Sequence, residues 1–325
     1  MLSWQDLSKR MIQKFISRKL LKQFSPLRHV NPPLDVKPLV YLYFHKKFEK
    51  KHMKLLSICL LFIFVNSCAH AKEPATYTGS TPANAVVKAF LGIPLKDSID
   101  FIRWKLVVND NRYELQCQYG LSKAGTNGFV EKKLAAFPGT IKKEGNYYHF
   151  VNGSREMILL KINTNLFHIV DGNKSMLIGN GGWSYMLNHT APVKSTELSI
   201  HFNEKDAGRP MAFEGRTPCN GLSKRPQCQK MKWYFVFYSD SITGKPSYYL
   251  EGSRIERQES KYKGKWEVIA GKEGRVIYKL APTTTADPIY LVRAGENILY
   301  FTDAEGNLLV GDEDFSYTLN RRSDE

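Results

Sequence analysis

The sequence predicts an all-β protein built as two tandem, small antiparallel β-barrels behind an N-terminal export segment. Three observations predict this. Segments of the chain recur in the same order further along, the recurring segments alternate apolar and polar residues with a period of two, and a short apolar run ends at a cysteine. With 325 residues, 42% hydrophobic and 12% aromatic, the chain has enough apolar surface for about two buried cores.

The front of the chain is strongly basic. Residues 1–67 hold 13 Lys and Arg against 3 Asp and Glu, so most of the formal charge of +16 sits ahead of the repeats. The remainder shows no basic stripe interleaved with aromatics and no recognisable nucleic-acid-binding pattern, and no nucleic-acid partner is expected. Met53 and Lys54 precede the apolar run Leu55 to Val65, followed by Asn66-Ser67-Cys68. That run is shorter than the roughly 20 residues a membrane helix needs, and it has the layout of a secretory signal. Its end has the form of a lipobox, which predicts lipid attachment at Cys68, cleavage just before it, and a lipid-anchored place in the cell envelope, expected at the outer membrane. An uncleaved helix or plain secretory signal is the alternative. Because a signal peptide works at or near a free N-terminus, residues 1–52 read as a gene-model extension with Met53 as initiator, the alternative being a long, real n-region. The segments are then 1–52 extension, 53–67 signal peptide, 68–76 tether, 77–194 first barrel and 195–325 second barrel.

The first copy opens with YTGSTPAN at 77–84 and the second with FEGRTPCN at 213–220. Next, FIRWKLVV at 101–108 aligns with KMKWYFVF at 230–237, setting Trp104 against Trp233. Period-two alternation puts Ile102, Trp104, Leu106 and Val108 on one strand face, and Met231, Trp233, Phe235 and Phe237 likewise, so these faces are expected to be core. NLFHIVDGNKSML at 165–177 parallels NILYFTDAEGNLL at 297–309, each expected to form a β-hairpin. SYMLNH at 184–189 matches SYTLNR at 316–321 at an offset of 132, a closing strand in each copy. Turn clusters fall at 143–146 and 271–274, and the tripeptides NGS (152–154), NKS (173–175) and NHT (188–190) also read as turns. Trp104, Trp233, Tyr185 and Tyr317 read as core. Closing each sheet into a barrel removes its exposed edges.

The second copy, with F-E-G-R-T-P-C-N, K-G-K-W-E-V (263–268) and A-G-E-N-I-L-Y-F-T-D-A-E-G-N (294–307), resembles the N-terminal domain of NlpE-type envelope lipoproteins. The likeness spans most of 211–322 and, through the repeat, extends weakly to 75–190. It implies a small lipocalin-like barrel, a role in copper tolerance or envelope-stress sensing, and an envelope-stress signalling protein as partner. The family's C-x-x-C after a T/L-P is kept here only as Cys219 after Thr217-Pro218. Leu222 stands where the second cysteine belongs, the next cysteine is Cys228, and Ala83 replaces Cys219 in the first copy.

The mature thiols are Cys117, Cys219 and Cys228. Outside the cytoplasm the last two are expected to form a disulfide; the alternatives are a two-thiolate site for a soft ion such as Cu(I), or a redox-sensing pair. Cys117 alternates with Tyr113, Leu115 and Tyr119 and should be a buried free thiol. None of His70, His149, His168, His189 and His201 has metal-binding spacing, and the carboxylates Glu313 and Asp314 fall in a turn expected to be solvated. No nucleophile elbow, P-loop or dinucleotide fingerprint is present, so a non-enzymatic protein is expected. A small-ligand carrier and a hydrolase inhibitor are the competing expectations, since barrels serve all three.

Overall fold

The computed structural model describes residues 73–195, 198, 211–220, 222, 228–239, 241, 245–251, 261–270, 275–282 and 287–322. The signal segment, Cys68, His70, His201 and the turn at 271–274 lie outside them. Two closed, eight-stranded antiparallel barrels follow one another in the chain. Among the described residues no helix is long and apolar enough to cross a membrane.

The first barrel runs from β1 (Ala75–Pro82) through β2 (Phe101–Asn109), β3 (Arg112–Gly120), β4 (Lys133–Glu144), β5 (Tyr147–Asn152), β6 (Arg155–Lys161) and β7 (Leu166–Val170) to β8 (Met186–His189). Its first strand starts two residues inside the expected tether. The second comprises β9 (Met211–Thr217), β10 (Met231–Ser239), β11 (Pro246–Glu251), β12 (Lys261–Ala270), β13 (Val276–Pro282), β14 (Ile289–Arg293), β15 (Ile298–Thr302) and β16 (Thr318–Arg321). Each strand pairs with its sequence neighbours, and β1 with β8 and β9 with β16 close the rings.

The expected alternation holds. Ile102, Trp104 and Leu106 point into the first barrel, and Met231, Trp233, Phe235 and Phe237 into the second. The T-P of each repeat explains itself here. Trp104 Nε1 donates to Thr81 Oγ1 at 2.9 Å, and Trp233 Nε1 donates to Thr217 Oγ1 at 2.8 Å. An indole N–H buried in an apolar barrel costs free energy unless it is paired, and the threonine from the neighbouring strand supplies the acceptor. The repeated glycines are steric. A side chain on Gly79 would put its Cβ 2.6 Å from the Met186 carbonyl oxygen, and one on Gly215 would stand 2.5 Å from that of Thr318, so the closing strands can approach only a bare backbone.

Four local expectations change. A helix, α1 (Ala85–Leu91), follows β1; Asn84 Oδ1 caps it by accepting from Val87 N at 3.0 Å, and Gly92 ends it in the left-handed region. Its Val87, Phe90 and Leu91 plug one end of the first barrel. The hairpins at 165–177 and 297–309 turn back as expected, but each returning limb makes a single bridge, Val170 to Met176 and Thr302 to Leu308. The reason is that β8 and β16 occupy the same edges of β7 and β15. Asn188 is not in a turn: it lies in β8, 1% exposed. Asp314 is not simply solvated, as described below.

The two barrels meet through β7 and β15, all of whose residues are buried. Phe167 and Ile169 face the first barrel's interior and Leu299 and Phe301 the second's. The intervening residues Leu166, Val170, Ile298 and Tyr300 join one apolar cluster between the barrels. Its centre is symmetric. Ser184 and Ser316, equivalent in the repeat, share a hydrogen bond of 2.5 Å, and the Tyr300 hydroxyl meets Nδ1 of its own equivalent, His168, at 3.0 Å. Gly179 N donates to Asn320 Oδ1 at 2.7 Å while the related Gly311 N donates to Asn188 Oδ1 at 2.9 Å. Such reciprocal contacts are those of a two-fold interface, here made within one chain.

Candidate functional site

Cys219 and Cys228 form a disulfide, with Cα atoms 5.8 Å apart. It follows β9 at the position where α1 follows β1, and Cys219, Leu222 and Cys228 pack against the second barrel's core as α1 packs against the first's. The cross-link thus ties Cys219 to Cys228 at this end of the second barrel. In the chain-entropy picture, closing a loop of this size contributes roughly 2.5–3 kcal/mol. The Tyr317 hydroxyl donates to the Asn220 carbonyl beside it. With both sulfurs bonded to each other, this oxidised state presents no thiolate pair to a soft metal. Among the described residues no cluster of three His, Cys, Asp or Glu side chains converges.

Cys117 is a buried free thiol, as expected, and burial pushes its pKa well up, which leaves it protonated and unreactive. His149 sits between Glu144 and Glu156 at 3.3 and 3.0 Å. His168 is fully buried; its Nε2 lies 2.9 Å from the Leu177 carbonyl, which fixes the proton there and leaves Nδ1 to accept from Tyr300. Burial lowers its pKa to about 4. In the second barrel the gap among Met211, Phe213, Phe237, Trp266 and Tyr278 has no space for a water molecule.

A cleft lies elsewhere, outside both interiors, where the loop after β7 leans over the outer face of β9 and β10. It has a volume of about 510 Å³ and is walled by Asn180, Gly182, Trp183, Arg216, Lys232 and Tyr234, with Glu214 at one end. Asn180 Oδ1 accepts from Gly182 N at 3.1 Å and Trp183 N at 3.0 Å, which sets the loop. The Trp183 ring stacks on Phe101, centroids 4.5 Å apart, and Phe101 stacks on Phe129 at 4.1 Å. The Arg216 guanidinium lies over the Trp183 ring, 5.6 Å from its centroid. Lys230, on the neighbouring wall, donates to Asn127 Oδ1 at 3.2 Å. Its pKa is lowered, first by burial and then by the charges of Arg216 and Lys232, against an opposing pull from Asp314. Arg216 and Lys232 line both this cleft and the adjoining pocket, where Lys230 and Asp314 join them.

Sequence reasoning did not find this site. Its residues come from the first barrel's loop and the second barrel's strands, and no local motif links them. The unread signal was the pair of non-alternating, mostly apolar runs at β7 and β15, which mark strands covered on both faces.

No protein-family model, curated protein or solved structure matches this chain.

Proposed function

We propose that this protein is a non-enzymatic cell-envelope lipoprotein of NlpE-like type, anchored through Cys68 and acting in copper tolerance or envelope-stress sensing through its second barrel. The observation that carries the reading is the Cys219–Cys228 cross-link directly after Thr217-Pro218, packed against the core of the second barrel. A disulfide is at home in an oxidising compartment, which agrees with an exported protein. Reduction of that cross-link unties Cys219 from Cys228 at the barrel end and frees two thiolates suited to a soft ion. A membrane-held barrel with such a cross-link can pass redox or copper status to an envelope signalling partner. The close packing of Met211, Phe213, Phe237, Trp266 and Tyr278 inside the second barrel favours this role over that of a carrier.

The test is made on protein expressed in its native host. Intact mass is expected to show a chain beginning at Cys68, acylated, and lighter by the two hydrogens lost on joining Cys219 to Cys228. Reduced protein is expected to take up Cu(I) in competition with a chelator, and Cys219→Ser to lose that uptake. An unacylated chain retained in the cytosol removes the anchoring half of the reading, and thiol-independent copper uptake removes the sensing half.

A further inference from the structure

The repeat places two junctions on the molecule, one on each side of the inter-barrel two-fold. In each, a loop of one barrel lies on the first two strands of the other. The loops align residue for residue, I-G-N-G-G-W at 178–183 with V-G-D-E-D-F at 310–315. They share a fold as well: Asp312 Oδ1 accepts from Asp314 N and Phe315 N, as Asn180 Oδ1 accepts from Gly182 N and Trp183 N. The strand residues beneath them also correspond. Ser80 pairs in register with Arg103, and Arg216 pairs in register with Lys232.

The two junctions differ chemically, in the loop residues and in the strand residues beneath them. On the first barrel, Asp314 fills the junction with a carboxylate: Arg103 donates to its Oδ1, and Asn127 Nδ2 donates to its Oδ2 at 2.9 Å. Ser80 Oγ closes the same junction by donating to the Glu313 carbonyl at 2.7 Å. On the second barrel the counterparts of Glu313 and Asp314 are Gly181 and Gly182, which carry no side chain. Beneath them the counterpart of the neutral Ser80 is the cationic Arg216. One cation held by the loop's own carboxylate thus becomes two cations, Arg216 and Lys232, under a loop that carries no carboxylate, with Glu214 at the far end of the cleft. A side chain on Gly182 would start 3.3 Å from Asn180 Oδ1 and 3.7 Å from Arg216 Nη1. Glu214, two residues before Arg216 on β9, lines the same cleft at its Gly181 end.

We propose that this cleft binds a small carboxylate-bearing ligand, whose carboxylate sits beside Arg216 and Lys232 as the Asp314 carboxylate sits beside Arg103 in the sibling junction. The volume of about 510 Å³ suits a small organic acid. The arginine fork offers paired donors to a planar carboxylate, and the Trp183 face beside it supplies apolar contact. Lys230 adds charge at the rim, and Trp183, pinned by Phe101, holds the wall in place without a ligand. Acylation of Cys68 has no bearing on this binding.

Isothermal titration calorimetry of the full chain, with glucuronate, citrate and succinate in one arm and inorganic phosphate in another, tests it. At least one carboxylate is expected to bind. Arg216→Ala is expected to weaken that binding roughly tenfold to a hundredfold, the range for a lost hydrogen bond to a charged group. Gly182→Asp, which installs the sibling's internal carboxylate, is expected to abolish it, with Lys232→Ala as a second variant should that chain fail to fold. Glucuronate ahead of citrate identifies a sugar acid as the source, and the reverse order a free organic acid. Binding of no carboxylate, binding of phosphate alone, or carboxylate affinity unchanged in the folded variants overturns the proposal.

Discussion

The residues that most firmly fix each barrel are small polar groups placed against large rings. Thr217 is fully buried and serves as acceptor for Trp233. Thr217→Val keeps the shape but leaves the indole N–H unpaired, and is expected to lower stability by about 1–3 kcal/mol in urea unfolding. His168 is equally decisive in acid. Its pKa falls from 6.5 in the unfolded chain to about 4 in the fold, so between those values the unfolded chain binds more protons. Stability is therefore full above pH 6.5 and is lost as pH falls towards 4, by about 3 kcal/mol for a shift of this size. His168→Gln is expected to flatten that part of a stability-against-pH curve; an unchanged slope assigns the acid sensitivity to other groups. At this scale the sequence was informative about rings and poor about partners. The repeated T-P and Trp stood out in self-comparison, yet nothing in a one-dimensional pattern says that the hydroxyl of one strand meets the indole of the next. Asp314 reads as a solvated turn residue for the same reason, because Arg103 lies more than two hundred positions away.

Among the elements, the strands were legible and the barrel ends were not. Period-two alternation identified β2 and β10 and their inward faces, because a strand with one dry face must alternate. Helix α1 escaped because seven residues give too few turns for a helical period to show, although its Asn84 and Gly92 caps are both present. The closing seams are the most constrained elements. Gly215→Ala is expected to destabilise the second barrel by about 1–3 kcal/mol, the range for overpacking, since its added methyl must push the Thr318 carbonyl aside. Thermal unfolding of the variant reads this directly, and an unchanged midpoint shows that the seam between β9 and β16 yields. Cys219 and Cys228 belong to this scale too: their proximity in sequence suggested a cross-link, but only the folded arrangement shows that it occupies the position of α1.

For the molecule as a whole, tandem duplication was legible and the contact between the copies was not. The runs NLFHIV and NILYFT are apolar without alternation, which is what burial on both faces demands, and the second face belongs to the other barrel. A chain limited to residues 73–195 leaves Leu166, Val170 and their neighbours uncovered. It is expected to dimerise or aggregate, as judged by light scattering behind size-exclusion chromatography; a stable, monodisperse monomer of that fragment shows that the inter-barrel cluster contributes little. The reciprocal pairs Ser184–Ser316 and Asn188–Gly311 with Asn320–Gly179 carry a further consequence. A self-matching surface on a lone domain recruits another molecule, at a rate set by abundance. Tethering both halves in one polypeptide makes that encounter unimolecular, so the assembled state persists at any dilution and has no unsatisfied half left to capture a third domain.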